Sequence, residues 1–405
     1  MNDPMYLKDV ANQCVKPKQL LKFNPQSIHL LNSFASHRNT LVDIACKQRS
    51  SDCYHGSEHA KQSVELKFGD FVDYYQASYR NESHWLQTVD DLDFYLAQCT
   101  IAVSKPDAKA ILPDIMEDIN LPKYLKDKHI SQVNLWMTVH ASRTTLHYDA
   151  YHNILVVLYG RKFVTLYPPS DSQKLYPFPL HSKSVNHSQV NIVQPDIKKH
   201  PQFLKASAKQ FEIKAGDALM IPEGWWHQVD SDEFTIATNY WWNGMREQLV
   251  ADKRMVPYYA RVMLEEFLTQ QCESRLHEIH FLSVSQSGYN FNDENSATAA
   301  FCAANDQATR ERVLMSLESK VLIKTQHHLA TRFAEEWRKL LVNASVDLVA
   351  RLAKCWENDN VAPEFLNVIF RAFDKDEETI KEELVAKHAQ FRQLCATQMY
   401  QSLFG

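Results

Sequence analysis

Leu146-His147-Tyr148-Asp149 places a histidine and an aspartate two residues apart, and Trp225-Trp226-His227 follows far downstream. Alternate side chains of a β-strand share one face, so on a strand His147 and Asp149 would project together. His227 can meet them only if a sheet folds back on itself. The two stretches therefore predict a β fold that gathers two histidines and one carboxylate into one cluster.

Such a cluster has the composition of a metal site with three protein ligands. Two histidines and one carboxylate leave coordination positions open for a co-substrate and oxygen, as in non-haem Fe(II) oxygenases. The structural alternative is a hydrogen-bonded pair at a strand end for His147 and Asp149, with His227 as a core histidine. A metal-dependent isomerase would want a His-x-His pair, and Thr138-Val139-His140 does not supply one. The spacing therefore favours iron.

The composition is that of a globular protein able to bury a sizeable core. The 405 residues are 45% hydrophobic and 23% charged, with a net charge of −5 and a pI near 6.4. This balance gives no global attraction to nucleic acid or to an anionic membrane. The longest plain apolar stretch, residues 154–159, is too short to cross a bilayer, and the N-terminus lacks the pattern of a signal peptide. We expect no membrane association.

Eight cysteines are scattered along the chain without a Cys-x-x-Cys pair. In a chain of this length, that spacing indicates free thiols in a reducing compartment, not a disulfide framework or a zinc site. We therefore expect the nucleus or the cytoplasm as the location.

Short strands separated by turn residues are predicted through the first part of the chain. The expected strands are Thr40–Ile44, Phe94–Thr100, Ser131–Val139, Asn153–Tyr159, Lys162–Tyr167, Phe211–Ile213, Ala218–Ile221, His227–Val229 and Phe234–Trp241, with a strand leading into a helix over Val64–Gln76. Turns at Gly160, Gly216-Asp217 and Pro222-Glu223-Gly224 separate several of them. Many short strands at this spacing predict a β-sandwich or barrel with helices before and after it.

Helical periodicity replaces this pattern after about Gly244. Apolar residues then recur at helical spacing as far as Leu394, which predicts about five or six helices. A polar stretch from Ser283 to Asn295 reads as a loop.

Several polar residues could form a pocket for 2-oxoglutarate, the co-substrate of many such oxygenases. Its distal carboxylate needs a cation and hydroxyl donors, and Lys162, just after the Gly160 turn, could point into the barrel. A buried lysine must be paired, which a dianion accomplishes. Hydroxyl and amide groups could come from Thr144, Tyr95, Asn153 and Asn239, since buried asparagines are costly unless they are hydrogen-bonded. The alternative for Lys162 is an exposed hairpin lysine.

The ordered motifs resemble those of the JmjC family of Fe(II)/2-oxoglutarate oxygenases over about residues 60–245. The matching segments are Thr144 to Asp149, Asn153, Gly160-Arg161-Lys162, Tyr167-Pro168-Pro169, Leu175-Tyr176-Pro177, Asn191 to Phe203, Ala215-Gly216-Asp217, Ile221-Pro222 leading into Trp225-Trp226-His227, and Thr235 to Trp242. Within the family, the chain resembles small JmjC-only proteins, which include an asparaginyl hydroxylase, a wybutosine-tRNA hydroxylase and short plant proteins. Phe94 to Cys99 and Pro222 to Ser231 resemble the plant type in particular.

This resemblance implies a double-stranded β-helix, the jelly-roll or cupin barrel, with flanking helices. It implies iron bound by His147, Asp149 and His227, which are also the catalytic residues. It implies 2-oxoglutarate held by Lys162, Thr144, Tyr95, Asn153 and Asn239. We expect an N-terminal flanking segment over 1–60, the oxygenase domain over 61–245 and a C-terminal all-helical domain over 246–405.

The implied reaction is hydroxylation of a protein side chain with release of succinate and CO2. A lysine demethylase is disfavoured because the chain lacks the cysteine spacing of chromatin-reading fingers and because Lys162 follows the hydroxylase pattern. A tRNA-base hydroxylase stays open, because Lys123, Lys126, Lys128, Lys198 and Lys199 could form a basic groove for RNA, although scattered surface charge is the favoured interpretation of these lysines. A catalytically silent binding module also stays open.

Two departures from the family are evident. Only about twenty residues precede Phe23-Asn24-Pro25, so we expect a divergent or incomplete N-terminal edge. The helical C-terminal part carries no family motif. Because helices after the barrel often form a dimer interface in relatives, we expect a homodimer through these helices.

Overall fold

The computed structural model describes residues 3–8, 23–51, 62–89, 91–104, 108–119, 121–244, 252–287, 291–357 and 363–404. Contacts within the chain divide it into two compact units. The first unit comprises residues 1–178 and 184–260, and the second comprises residues 179–183 and 261–405.

Twelve antiparallel strands of the described residues build the first unit. They are β1 (Met5–Leu7), β2 (Leu41–Gln48), β3 (Gln62–Lys67), β4 (Leu92–Val103), β5 (Ile130–Thr138), β6 (Ser142–His147), β7 (His152–Tyr159), β8 (Arg161–Tyr167), β9 (Lys209–Lys214), β10 (Ala218–Ile221), β11 (Trp226–Ser231) and β12 (Ile236–Trp242). The large sheet has the order β1-β10-β7-β12-β5-β4-β2-β3, and the small sheet has the order β6-β11-β8-β9. The predicted fold class, an antiparallel jelly-roll barrel, is confirmed.

The central strands are apolar along nearly their whole length because both of their faces are covered. β7 lies between β10 and β12, and all of its residues except Tyr159 are buried. One face of the large sheet looks toward the small sheet, and the other carries the main core. Such two-sided burial explains why β7 reads as a continuous apolar run and not as an alternating one.

Two helices of the first unit are α1 (Asn32–Ser36) and α2 (Phe68–Arg80). The aromatic side chains of α2, among them Phe71, Tyr74 and Tyr75, are buried in the core cluster. Asn81 ends the helix in the left-handed conformation, with φ of 56°.

All of the predicted strands are present, as is the strand that leads into a helix over Val64–Gln76. Two strands were not predicted, β1 and β6. β6 begins Ser142-Arg143-Thr144-Thr145, which lacks apolar alternation, and its partner β11 supplies the hydrogen bonds that make it a strand. The pairing of strands thus overrides a weak local signal.

The helices of the second part are α3 (Val256–Ser287), α4 (Glu294–Ala303), α5 (Gln307–Met315), α6 (Ser319–Arg332), α7 (Ala334–Val342), α8 (Val346–Trp356), α9 (Pro363–Phe370) and α10 (Glu377–Phe404). Five or six helices were predicted, and the described residues contain more because Asp293, Asp306 and Ser345 cap new helices without a glycine between them.

The predicted loop over Ser283–Asn295 was wrong at both ends. α3 continues to Ser287, and α4 begins at Glu294, where the Asp293 carboxylate accepts from two backbone N–H groups. The core of the second unit surrounds Trp337, whose indole N–H donates to the Ile369 carbonyl at 3.0 Å. No helix of the described residues is both long and apolar enough to span a bilayer.

Candidate metal centre and co-substrate pocket

The pairing of β6 with β11 brings the two histidines of the cluster together. His147 is the last residue of β6 and lies opposite His227 of β11. Asp149 does not lie on the strand as expected, because β6 ends at His147. Its backbone is held instead by the N–H of Gly224, which donates to the Asp149 carbonyl at 3.0 Å. The turn before β11 thus positions the carboxylate between the histidines.

The distances within this cluster fit a metal ion. Asp149 Oδ1 lies 3.8 Å from His147 Nε2, and Asp149 Oδ2 lies 3.5 Å from His227 Nε2. One ligand atom from each residue falls within 4.8 Å of the others. Ligand atoms about 2.1 Å from a shared ion lie roughly 3–4 Å apart, so the three side chains need little movement to hold one.

The backbone fixes the tautomer of both histidines. Nδ1 of His147 donates to the Thr145 carbonyl at 2.7 Å, and Nδ1 of His227 donates to the Trp225 carbonyl at 3.0 Å. The Nε2 atom of each ring is left as the basic nitrogen that faces the cluster. Metal-binding histidines use this arrangement to orient the ring and to raise its basicity.

The protonation states in the cluster also suit a cation. Burial, together with the neighbouring His227, lowers the pKa of His147 to about 3, so the ring is neutral. Burial alone would raise the pKa of the Asp149 carboxyl. The contact with His227 and the proximity of His147 outweigh it, and the pKa lies below its ordinary value. A neutral imidazole and an ionised carboxylate are the forms that bind a metal ion.

Lys162 lies deep in the same cavity. Its side chain is only 3% exposed, and its Nζ donates to Ser231 Oγ at 2.6 Å across the β8–β11 pair. None of the carboxylates described makes an ion pair with it. Burial lowers the pKa of its ammonium group to about 7. The exposed-hairpin alternative is therefore wrong, and the buried amine calls for an anionic partner.

A chain of amides orients the asparagines of this cavity. Asn239 Oδ1 accepts from Asn134 Nδ2 at 3.1 Å and from the Trp136 indole N–H at 2.8 Å. Its Nδ2 donates to Asn153 Oδ1 at 3.2 Å. Asn153 is thereby turned so that its NH2 group is free to donate into the cavity. The hydrogen bond from Asn239 thus orients the amide group of Asn153.

All eight residues predicted for the site line one cavity of about 250 Å³. They are Tyr95, Thr144, His147, Asp149, Asn153, Lys162, His227 and Asn239. The structure brings them together, and their roles toward iron and 2-oxoglutarate stay predictions until ligand binding is measured. The burial of Tyr95 raises the pKa of its hydroxyl, which keeps the group protonated.

Sequence reasoning missed several residues that line the same cavity. They are Gln98, Trp136, Asn186, His187 and Trp241. Trp241 could have been found, since two-residue alternation from Asn239 puts it on the same face of β12. Gln98 sits in a bulge of β4 with φ of 55°, and nothing in the sequence marks that bulge.

His187 had no sequence signal because it lies in an irregular segment that approaches the metal cluster only in the folded chain. It forms an isolated bridge with His147, and their rings stack at 5.2 Å between centroids. Burial lowers the pKa of His187 to about 4.

Comparison with known proteins adds a family and several relatives. The family described as "Cupin-like domain" matches residues 2–248. Lysine-specific demethylase JMJ31 of Arabidopsis thaliana is 34% identical over 271 residues, covering 62% of this chain and 48% of that protein. Lysine-specific demethylase 8 of Danio rerio is 30% identical over 226 residues, covering 54% and 49%.

A third relative has a different name. tRNA wybutosine-synthesizing protein 5 of Homo sapiens is 32% identical over 136 residues, covering 34% of this chain and 42% of that protein. The chain spans about half the length, or less, of these curated relatives. The matched family segment includes every residue that lines the cavity.

Proposed function

The chain belongs to the cupin-like JmjC family of 2-oxoglutarate-dependent oxygenases, and we propose that it hydroxylates a protein side chain with release of succinate and CO2. In this proposal His147, Asp149 and His227 hold Fe(II), and Lys162 binds the distal carboxylate of 2-oxoglutarate. Tyr95, Thr144, Asn153 and Asn239 complete the co-substrate pocket.

The proposal rests on one observation: the same cavity contains a cluster of metal-binding groups and a buried lysine without a carboxylate partner among the described residues. In the cluster, two imidazole nitrogens and a carboxylate face one another. A divalent ion would satisfy the first group, and a dicarboxylate that also reaches the ion would satisfy the second. Fe(II) with 2-oxoglutarate meets both requirements.

Bound iron supplies the redox chemistry, in which O2 and 2-oxoglutarate yield succinate and CO2 while a substrate C–H becomes C–OH. The protein side chains position the co-substrate and exclude water from the pocket. Ser231 accepts a hydrogen bond from Lys162 Nζ and so fixes the ammonium group at one end of the pocket. Asn153, oriented by Asn239, presents an N–H donor beside the cluster, and Thr144 on β6 presents a hydroxyl.

Succinate release from 2-oxoglutarate tests this proposal. Purified protein with Fe(II), oxygen and ascorbate should form succinate slowly without a substrate, and Asp149→Ala should abolish it. Asp230→Ala changes a carboxylate of β11 that pairs with Arg143 and should keep the activity. Equal succinate formation by the parent and Asp149→Ala would contradict the assignment of the metal ligand.

Two relatives named lysine-specific demethylases support a second candidate, N-demethylation of a lysine. Demethylation begins with oxidation of the same kind of C–H bond, and the product then loses formaldehyde. Mass spectrometry separates the two, since hydroxylation adds one oxygen atom and demethylation removes a methyl group.

The relative named as a wybutosine-synthesizing protein supports hydroxylation of a tRNA base as the third candidate. RNA binding through a groove of Lys123, Lys126, Lys128, Lys198 and Lys199 would weaken steeply with salt. Affinity for RNA that does not change between low and high salt would remove this candidate.

A further inference from the structure

The turn that precedes β11 packs against a tyrosine from outside the matched family segment. This residue is Tyr258, in the first turn of α3, whereas the cupin-like match ends at residue 248. Tyr258 belongs to the first unit of the chain, and its side chain is only 2% exposed. It is not among the described residues that line the cavity. Its contacts reach instead the two segments that carry the metal-binding residues.

The ring of Tyr258 lies directly against Gly224. A Cβ added to this glycine would lie 2.8 Å from Tyr258 Cγ and 3.0 Å from both of its Cδ atoms. Carbon atoms in contact are normally about 3.5–4.0 Å apart, so the ring leaves room only for a glycine. The N–H of Gly224 donates to the Asp149 carbonyl at 3.0 Å. The ring therefore supports the peptide group that holds Asp149 beside the two histidines.

The hydroxyl of Tyr258 fixes the same turn at the preceding residue. It donates to Glu223 Oε1 at 2.8 Å, and burial, together with the Glu223 carboxylate, raises the pKa of the hydroxyl, so it keeps its proton. The N–H of Glu223 donates in turn to His152 Nδ1 at 3.0 Å. Burial lowers the pKa of His152 to about 4, which leaves its ring neutral and able to accept this bond. The turn is thus held at Glu223 as well as at Gly224.

Tyr258 also contacts the segment that joins two of the metal-binding residues. Its ring meets the Tyr148 ring edge-on, with 5.5 Å between centroids and 89° between planes. Tyr148 lies between His147 and Asp149 in the chain and is 4% exposed. The Tyr148 ring also packs edge-on against Trp226 at the start of β11, with 4.8 Å between centroids. Tyr258 therefore packs against both of the segments that form the metal cluster.

We propose that Tyr258 is a positioning residue for the metal centre. Its ring and hydroxyl hold the turn of Glu223 and Gly224, and this turn holds Asp149 at the distance from the histidines that a divalent ion requires. The inference rests on the proposed function, since it assumes that the cluster of two histidines and one aspartate binds a metal ion. It adds to the metal centre a side chain from the helix that follows the matched family segment.

Binding of Co(II) alone, followed by the visible absorption of the bound ion, tests the inference. Tyr258→Ala should weaken Co(II) binding about ten- to hundredfold, the loss that is usual when the support of a metal ligand is removed. Tyr74→Ala removes an equally buried ring of the same unit, which packs on Phe94 in the main core, and should leave the affinity unchanged. Equal Co(II) affinity of the parent and Tyr258→Ala would overturn the inference. An equal loss in both variants would also overturn it, because general destabilisation would then be the cause.

Further variants keep the test decisive if Tyr258→Ala folds poorly. Tyr258→Phe retains the ring and loses only the hydrogen bond to Glu223, so Co(II) binding should weaken about two- to tenfold. Gly224→Ala should weaken it more, because its Cβ would overlap the ring. In a Tyr258→Ala background the ring is gone, so Gly224→Ala should cost less than it does in the parent, although the backbone at residue 224 is the same. Parent-like affinity of Tyr258→Phe, together with losses that simply add for Gly224→Ala and Tyr258→Ala, would contradict the role of Tyr258.

Failure of the inference and failure of the proposed function give different results. A parent protein that binds no Co(II) would contradict both, because the cluster would not be a metal site. A parent that binds Co(II) and releases succinate, with the same Co(II) affinity in Tyr258→Ala, would contradict only the role of Tyr258.

Discussion

At the scale of single residues, the proposed binding of 2-oxoglutarate depends most on Lys162, because its buried amine has no carboxylate partner among the described residues. Lys162→Ala should weaken 2-oxoglutarate binding by at least about tenfold, because a buried ion pair is lost, and should leave Fe(II) affinity nearly unchanged. Titration of the Mn(II)-loaded protein with 2-oxoglutarate measures this. Lys214→Ala, on the adjacent strand and largely exposed, is the control. Equal affinity of parent and Lys162→Ala would mean that the pocket is misplaced.

The same residue predicts a dependence of co-substrate binding on pH. The pKa of Lys162 is about 7 in the unliganded protein, below its ordinary value of 10.5, because burial disfavours the ammonium form. A dianion binds the protonated form, so above pH 7 binding requires uptake of a proton.

The dissociation constant of 2-oxoglutarate should therefore rise as pH increases above about 7, by up to about tenfold per pH unit. Lys162→Arg keeps its charge throughout this range and should lack the slope, whatever its absolute affinity. An affinity of the parent that is constant or increases with pH over this range would contradict the prediction.

Sequence reasoning identified the residues whose chemistry is unusual for their position. His147, Asp149, His227 and Lys162 stood out because charged or metal-binding groups beside apolar strands need a partner. His187 and Asn186 did not stand out, since polar residues in an irregular segment are ordinary. Their place beside the metal cluster depends on a long-range bridge to His147 that no local pattern encodes.

At the scale of elements, the hairpin between β7 and β8 presents Lys162 to the cavity. Its turn residue, Gly160, has φ of 80°, and a Cβ there would lie 2.6 Å from Thr235 Oγ1 and 2.9 Å from Thr235 Cα. Gly216 also has positive φ, at 101°, but a Cβ there would meet nothing within 4 Å. Substitution of the two glycines by alanine therefore distinguishes the cost of backbone strain, which both positions share, from the cost of steric overlap, which only Gly160 has.

Gly160→Ala should lower the free energy of unfolding by about 2 kcal/mol more than Gly216→Ala, since both bear the cost of positive φ and only the first also overlaps Thr235. Urea denaturation of the two variants measures the difference. Similar losses for both would show that the hairpin relaxes without cost.

The strands were predicted well where apolar residues alternate or run continuously, as in β5 and β7. Prediction failed for β6, whose Ser-Arg-Thr-Thr start is held in the sheet by β11. It also failed at the C-terminal edge of β6, where Asp149 leaves the strand. In both places hydrogen bonds to residues distant in sequence decide the local structure.

At the scale of the whole molecule, the homodimer expected through the C-terminal helices stays a prediction. Large apolar side chains are exposed on these helices, with Phe281 of α3 at 69% and Phe404 of α10 at 74%. Light scattering should give about twice the 47.0 kDa mass of one chain.

Phe281→Glu together with Phe404→Glu should reduce that mass to one chain, because two charges would be buried in the interface. Leu204→Glu changes an equally exposed apolar residue of the first unit and should leave the mass unchanged. A parent protein that has the mass of one chain at all concentrations would contradict the expectation.

We propose above all that one cavity of this protein holds Fe(II) and 2-oxoglutarate together. The most direct measurement adds both to the purified protein without oxygen and looks for the visible charge-transfer band between iron and the keto acid. We predict the band in the parent and in His129→Ala, which changes an exposed histidine outside the cavity, and its loss in His147→Ala. Absence of the band from well-folded parent protein, or an equal band in His147→Ala, would contradict the account.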